Sequence, residues 1–232
     1  MTINVYWASG EKEWLRATEP VNIKKLHFST DAFKETDVIF CPATRDFLDN
    51  YYGIKSIYTY DMHFDDDRVW AEQYDHEFFD YHIKIRGKDK KLKCASFMIS
   101  YIFFTEEESL TMSMEQPFLE DNVINDTCIL FPGQFDIAKW FRNIEFAFRL
   151  KKKTNHFSIK EGDIYSYIKF HTKEDINFIQ FRISDEIKSL MNDVKHAKSH
   201  QPIPPYRSLE SRYESFSTKE LILREIKKNI LT

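Results

Sequence analysis

The chain has 232 residues, of which 42% are hydrophobic and 30% are charged, and its formal net charge is −4. This length and balance fit one large domain with a sizeable core, or one domain with an appendage. The net negative charge excludes a general attraction to nucleic acid or to an anionic membrane surface. The aromatic share of 16% favours β-strands and wide cores between sheets.

The first part of the chain predicts short strands, at residues 3–8, 38–40, 54–64, 78–86, 92–104, 110–114 and 128–131. A helix is predicted from Ala43 to Tyr52, with Gly53 at its C-terminal cap. The strands 78–86 and 92–104 flank a polar turn that contains glycine, so we expect them to form a hairpin. The polar segment 120–127 is expected to be a loop.

The clearest strand patterns lie between Phe141 and Ile183. They cover residues 141–150, then 157–159 and 164–170 on either side of a turn at Gly162, and finally 176–183. The turn predicts that the two middle strands pair as a hairpin.

The periodicity becomes helical after Ser184, which can cap a helix from Asp185 to about Ser199. The proline-rich segment 201–205 must end this helix, and a last helix is predicted to start near Ser217.

Roughly nine strands followed by helices predict a mainly β (α+β) fold. We expect an antiparallel β-sandwich or a jelly-roll-like barrel with a C-terminal helical extension. The predicted core domain covers residues 1–183, and the extension covers residues 184–232 with its break at 201–205.

One set of residues predicts a metal site. His63 and Asp65 end one strand, His171 ends another, and Arg182 lies on the next. Two histidines and a carboxylate form a facial triad that leaves open positions on Fe(II), and an arginine holds a carboxylate co-substrate bidentately. This order resembles the Fe(II)- and 2-oxoglutarate-dependent oxygenases, whose jelly-roll fold agrees with the predicted sandwich. In the alternative interpretation these side chains belong to solvated polar turns and bind no metal or cofactor.

Cys41 follows a predicted strand and precedes a predicted helix, a placement that lowers a thiol pKa at nucleophilic cysteines. The alternative is a packed thiol in a reducing compartment. With Cys94 and Cys128 the chain has an odd number of widely spaced cysteines, which does not indicate a disulfide framework.

Two further features concern partners. A group of lysines and arginines, with Tyr81 and Phe148 beside them, could form a local basic face that suits a nucleic-acid backbone. Charged turns that keep hairpin edges soluble are the commoner reason for such a pattern, and we favour that interpretation. The basic residues are Lys84, Arg86, Lys88, Lys90, Lys91, Lys93, Arg149, Lys151, Lys152 and Lys153. The last helix, 217–231, carries apolar residues on one face. That face either docks on the sheet or packs on another chain.

Short motifs between residues 38 and 183 resemble an uncharacterised family encoded by tailed phages of marine bacteria. They are Cys41-Pro42-Ala43, Ile54-Lys55-Ser56, the turn 159–163 and the strand 167–170. The resemblance implies a phage or viral source and hence a location in the host cytoplasm or the virion. It implies no activity.

The start of the chain shows no signal-length apolar run, and no stretch approaches the ~20 apolar residues of a membrane helix. We therefore expect a protein that is neither secreted nor membrane-spanning. Two functions are predicted: a non-catalytic β-sandwich that binds or assembles on a virion or a host component, or alternatively an Fe(II)/2-oxoglutarate oxygenase.

Overall fold

The computed structural model describes residues 1–9, 17–28, 41–64, 69–72, 83–86, 94–199 and 219–231. Its strands, in chain order, are β1 (Thr2–Ser9), β2 (Val21–Asn22), β3 (Tyr51–Lys55), β4 (Tyr60–Phe64), β5 (Val69–Trp70), β6 (Ile83–Arg86), β7 (Cys94–Thr105), β8 (Thr111–Glu115), β9 (Cys128–Leu130), β10 (Gly133–Asp136), β11 (Ile144–Leu150), β12 (His156–Ile159), β13 (Ile164–Phe170) and β14 (Asp175–Gln180). Its helices are α1 (Ile23–Phe28), α2 (Pro42–Phe47), α3 (Val123–Thr127), α4 (Asp185–Ser199) and α5 (Lys219–Lys228).

The strands form three sheets. Sheet A has the order β14-β1-β7-β11-β9, with β6 also paired to β7; sheet B has the order β10-β8-β13-β3-β2; sheet C has the order β12-β4-β5. Neighbouring strands are antiparallel except β1 and β14, which are parallel. Within the described ranges no sheet closes into a barrel. The predicted mainly β, sandwich-like fold with a helical C-terminal part is confirmed.

The main core lies between sheet A on one side and sheets B and C on the other. Aromatic rings meet across this gap. The ring centre of Phe103 on β7 lies 6.0 Å from that of Phe170 on β13, and the ring centre of Phe146 on β11 lies 5.3 Å from that of Tyr165 on β13. Phe97 of β7 lies 5.9 Å from Phe157 of β12. The high aromatic content therefore fills a wide inter-sheet space, as rings do efficiently.

Sheets B and C are joined at a corner where two chain segments turn together. β3 of sheet B continues through Ser56 into β4 of sheet C, and β12 of sheet C continues through Gly162 into β13 of sheet B. The corner is closed by the N–H of Ser56, which donates to the carbonyl of Asp163 at 2.8 Å, and the N–H of Gly162, which donates to the carbonyl of Ser56 at 2.8 Å. Gly162 has φ +88°, a conformation that favours glycine.

This corner corrects two sequence-based predictions. The strands around Gly162 have the predicted bounds to within a residue, yet they do not pair with each other, because β12 pairs with β4 and β13 pairs with β3 and β8. The predicted strand 54–64 is likewise divided between two sheets.

The predicted helix from Ala43 to Tyr52 ends at Phe47, and Gly53 lies inside β3. A Cβ at this position would come within 2.7 Å of the Ile164 side chain. Gly53 therefore permits close packing and does not cap a helix. The predicted loop 120–127 contains the short helix α3, which Asn122 caps by accepting from the N–H of Ile124.

The C-terminal helices cover the second face of sheet A. Ile187 and Met191 of α4 and Ile222 and Ile226 of α5 are buried in a second core with sheet residues that include Phe104. Lys227 pairs with Glu106 at 2.9 Å. Of the two alternatives for the last helix, the structure has the docked one. The break at 201–205 lies outside the described residues.

Two tyrosines in the main core give a matched test of polar burial. Tyr101 and Tyr165 are both 0% exposed; the hydroxyl of Tyr101 donates to the carbonyl of Thr18 at 2.7 Å, whereas the hydroxyl of Tyr165 has no hydrogen-bond partner among the described residues. A buried hydroxyl without a partner carries its full desolvation cost.

We predict that Tyr165→Phe raises the free energy of unfolding by about 1 kcal/mol, because it removes the uncompensated hydroxyl. Tyr101→Phe is the control and is expected to lower it by about 1 kcal/mol, because it deletes a hydrogen bond. Urea denaturation measures both. Destabilisation by Tyr165→Phe would contradict the prediction.

Candidate functional site

Among the described residues, the predicted ligands His63 and His171 do not belong to one cluster of potential metal ligands. His63 lies on β4 in sheet C, and Asp65 falls outside the described residues. His171 is exposed after β13, and its Nε2 lies 3.0 Å from Ser113 Oγ of sheet B. Arg182 is exposed after β14. Its backbone N–H donates to the carbonyl of Asn229 at 2.8 Å, beside α5.

His63 instead belongs to a cluster with Asp61 and His156, which we call the His cluster. One ligand atom from each of the three residues lies within 4.8 Å of the others, and the cluster does not include His171. Asp61 and His63 are two residues apart on β4 and so share a face. His156 of β12 lies directly opposite His63 in the antiparallel register, and its Nε2 is hydrogen-bonded to Asp61 Oδ1.

The surroundings of the His cluster hold it in place. On the other side of His63, Trp70 of β5 is its register partner, and the two rings stack at 4.4 Å with an interplanar angle of 18°. The intervening β4 residues Tyr60, Met62 and Phe64 are buried in the main core. The side chains of Asp61 and His156 are 42% and 46% exposed. The His cluster is thus a partly exposed group of side chains on the outer face of sheet C, and the inner face of this sheet packs in the main core.

Sequence reasoning found His63 but missed Asp61 and His156. The local signal was an Asp-x-His pattern on a predicted strand, which places both side chains on one face. His156 could be identified only from the pairing of β12 with β4. The predicted hairpin at Gly162 had excluded that pairing.

A second feature lies on the outer face of sheet B. Phe47 of α2, Tyr51 of β3, Phe118 and Tyr167 of β13 form what we call the aromatic surface. Phe47 and Phe118 are 50% and 44% exposed and lie 5.9 Å apart, whereas Tyr51 and Tyr167 are buried beneath them. The ring of Phe118 lies 5.7 Å from that of Tyr51 and 5.2 Å from that of Tyr167.

Polar contacts hold the two tyrosines of the aromatic surface. The hydroxyl of Tyr51 donates to Glu115 and that of Tyr167 donates to Glu120, each at 2.6 Å. Burial, followed by the hydrogen bonds to these carboxylates, raises the pKa of both phenols. Lys169 Nζ lies 4.6 Å from the ring centres of Phe47 and Tyr51, within the range of a cation–π contact.

The predicted basic face is described only in part. Lys88, Lys90, Lys91, Lys93 and Tyr81 lie outside the described residues, and Lys84 and Arg86 lie on β6. Lys152 and Lys153 are exposed, and Lys151 donates to the carbonyl of Asn125 at 2.5 Å. Phe148 is 1% exposed in the main core, so its proposed place beside a nucleic acid is wrong. The face itself stays a prediction.

Comparison with known proteins gave no match: no family model, no curated protein and no solved structure is significantly similar to this chain. Among the helices of the described residues, none has the length and apolar content needed to cross a membrane.

The cysteines differ in environment. Cys41 is exposed at the N-terminal cap of α2, whereas Cys128 on β9 is 1% exposed, and burial raises the pKa of its thiol to about 12. The thiolate is the reactive form, so Cys128 is both covered and protonated near neutral pH.

We predict that iodoacetamide at pH 8 alkylates Cys41 in the native protein and leaves Cys128 unmodified. Peptide mass spectrometry over a time course measures both sites, and the same reaction in urea is the control in which Cys128 reacts. Equal native rates at the two sites would disprove the difference.

Proposed function

We propose that this chain is a non-catalytic β-sandwich module that binds a protein partner through the aromatic surface. The observation that carries the proposal is the pair of adjacent, half-exposed rings Phe47 and Phe118. Single exposed apolar residues are ordinary on protein surfaces, but adjacent rings on a rigid base are typical of binding surfaces.

The rings are preorganised for binding. Tyr51 and Tyr167 lie beneath them and are held by Glu115 and Glu120, so that Phe47 and Phe118 rest on a packed layer. A partner that covers them orders few new side chains, and such preorganisation favours affinity because less conformational entropy is lost.

The charges near the aromatic surface indicate the chemistry of the partner. Glu115 and Glu120 lie at its edge, and the exposed Asp46 and Asp121 are chain neighbours of Phe47 and Glu120. These acids oppose a nucleic-acid backbone and favour a protein segment that brings an apolar anchor together with lysine or arginine. Lys169 already makes the cation–π contact with Phe47 and Tyr51, so a cation of the partner would pair with these acids.

The setting of this interaction is taken from the resemblance to phage proteins. We propose that the partner is a virion component or a host protein met during infection. The oxygenase alternative receives no support from the grouping of the side chains, because His63 lies with Asp61 and His156 and the cluster does not include His171.

We predict that the double substitution Phe47→Ser and Phe118→Ser strongly reduces partner capture. The wild-type chain is immobilised, and proteins retained from a lysate of the organism that carries the gene are quantified by mass spectrometry. A specific partner is expected to fall by at least about tenfold with the double variant, because each aromatic anchor contributes more than about 1 kcal/mol.

The matched control is Ile129→Ser with Phe131→Ser, which removes two apolar side chains of similar exposure, 36% and 42%, at the β9 edge of sheet A. It should retain the partner at the wild-type level. Equal recovery by both double variants, or no protein specific to the wild type, would reject the proposed surface. Concentration-dependent dimerisation in sedimentation, lost only in the Phe47/Phe118 variant, would replace the proposed partner by a second copy.

A further inference from the structure

We infer that the His cluster binds a divalent transition-metal ion, with Zn²⁺ as the best-matched metal, through Asp61, His63 and His156. This site is independent of the aromatic surface and differs from the predicted set, with which it shares only His63. The inference rests on the donor set, the spacing of the donor atoms and the rigidity of the sheet that presents them.

The spacing suits a single ion. Ligand atoms that bind one Zn²⁺ at about 2.0–2.2 Å lie roughly 3–4 Å from one another. In the His cluster the three atoms already lie within 4.8 Å of one another. Small changes in side-chain torsion angles are therefore enough to converge them, and no backbone movement is required.

The donor types select the metal class. Two neutral imidazoles and one carboxylate suit zinc, copper, nickel and iron, whereas calcium and magnesium prefer all-oxygen sites. Three protein ligands with open remaining positions are a common zinc arrangement. Because Asp61 and His156 are about half exposed, the open positions face outward and take water or a donor from a bound partner.

The scaffold restricts where the ligands point. His156 and His63 are register partners across β12 and β4, and Trp70 stacks on the opposite side of the His63 ring. An aromatic wall of this kind limits the ring orientations that His63 can adopt, which reduces the entropy lost when the metal binds.

The competing state is the direct hydrogen bond between Asp61 and His156 without a metal ion. A bound metal replaces this contact by ligand bonds from both side chains, and the ligating imidazole must be neutral. The two states predict different responses to added metal, and this makes the inference testable in the absence of any activity.

The experiment is calorimetric titration of ZnCl₂ into the metal-stripped full-length chain at pH 7.5. We expect one equivalent to bind, and we expect His63→Ala and His156→Ala each to weaken binding by more than about 100-fold, since loss of an outer-shell contact alone costs 10–100-fold. His171→Ala removes another exposed histidine, outside the cluster, and should bind zinc as the wild type does.

A second readout guards against variants that fold poorly. Cu²⁺ bound at the His cluster should quench the fluorescence of Trp70, which stacks on His63. The quenching should disappear in Trp70→Phe while zinc binding persists in that variant. Absence of stoichiometric zinc binding by the wild type, or wild-type affinity in His63→Ala, would overturn the inference. Loss of binding in His171→Ala would overturn it in favour of the set His63, Asp65 and His171.

Discussion

The corner between sheets B and C is the constraint on which the rest of the structure depends. Two backbone hydrogen bonds at Ser56 join the turn after β3 to the turn before β13, so that both segments change sheet at the same point. The register of β3 with β13 and of β4 with β12 is thereby set together. A slip of one residue would exchange the inner and outer faces of these strands, placing His63 in the core and Met62 in solvent.

The alternation of side chains along each strand then distributes them between the main core, the second core and the outer faces of sheets B and C. On β1 and β7, Trp7 and Phe103 face the main core, while Tyr6 and Phe104 face the second core beneath α4 and α5. The neighbouring strands β1 and β7 of sheet A consequently have side chains buried on both faces, which explains the nearly continuous apolar character of β7. Sheets B and C keep an outer face, and both candidate sites lie there.

Much of the fold follows from the sequence, because alternation and turn residues are local signals. The bounds of β13 and α4 were predicted from them directly. Pairing is a non-local property, and here the local signal misled: Gly162 marks a turn, as predicted, but the turn leads from one sheet into another. Gly53 was predicted to cap a helix. Its close approach to Ile164 is instead a packing contact of sheet B, and the local sequence pattern does not show such contacts.

The candidate sites show the same difference between local sequence signals, which could be interpreted, and non-local pairing, which could not. His63 was identified because histidine near a carboxylate on a strand is a local pattern, but its partner His156 follows far along the chain and is brought opposite only by the corner. The aromatic surface was not predicted, because Phe118 and Tyr167 come from distant parts of the chain, and Phe47 and Tyr51 matched the apolar side of an ordinary helix.

The position of the His cluster also bears on what a bound metal would do. The inner face of sheet C is packed against the core, so the three ligands can leave coordination positions open only toward solvent. Catalysis usually relies on a site that excludes water and holds its substrate on several sides. A ligand row on the outer face of a sheet has walls on one side only. We therefore propose that a metal ion bound at this place would supply a directional contact to a partner of the proposed binding module.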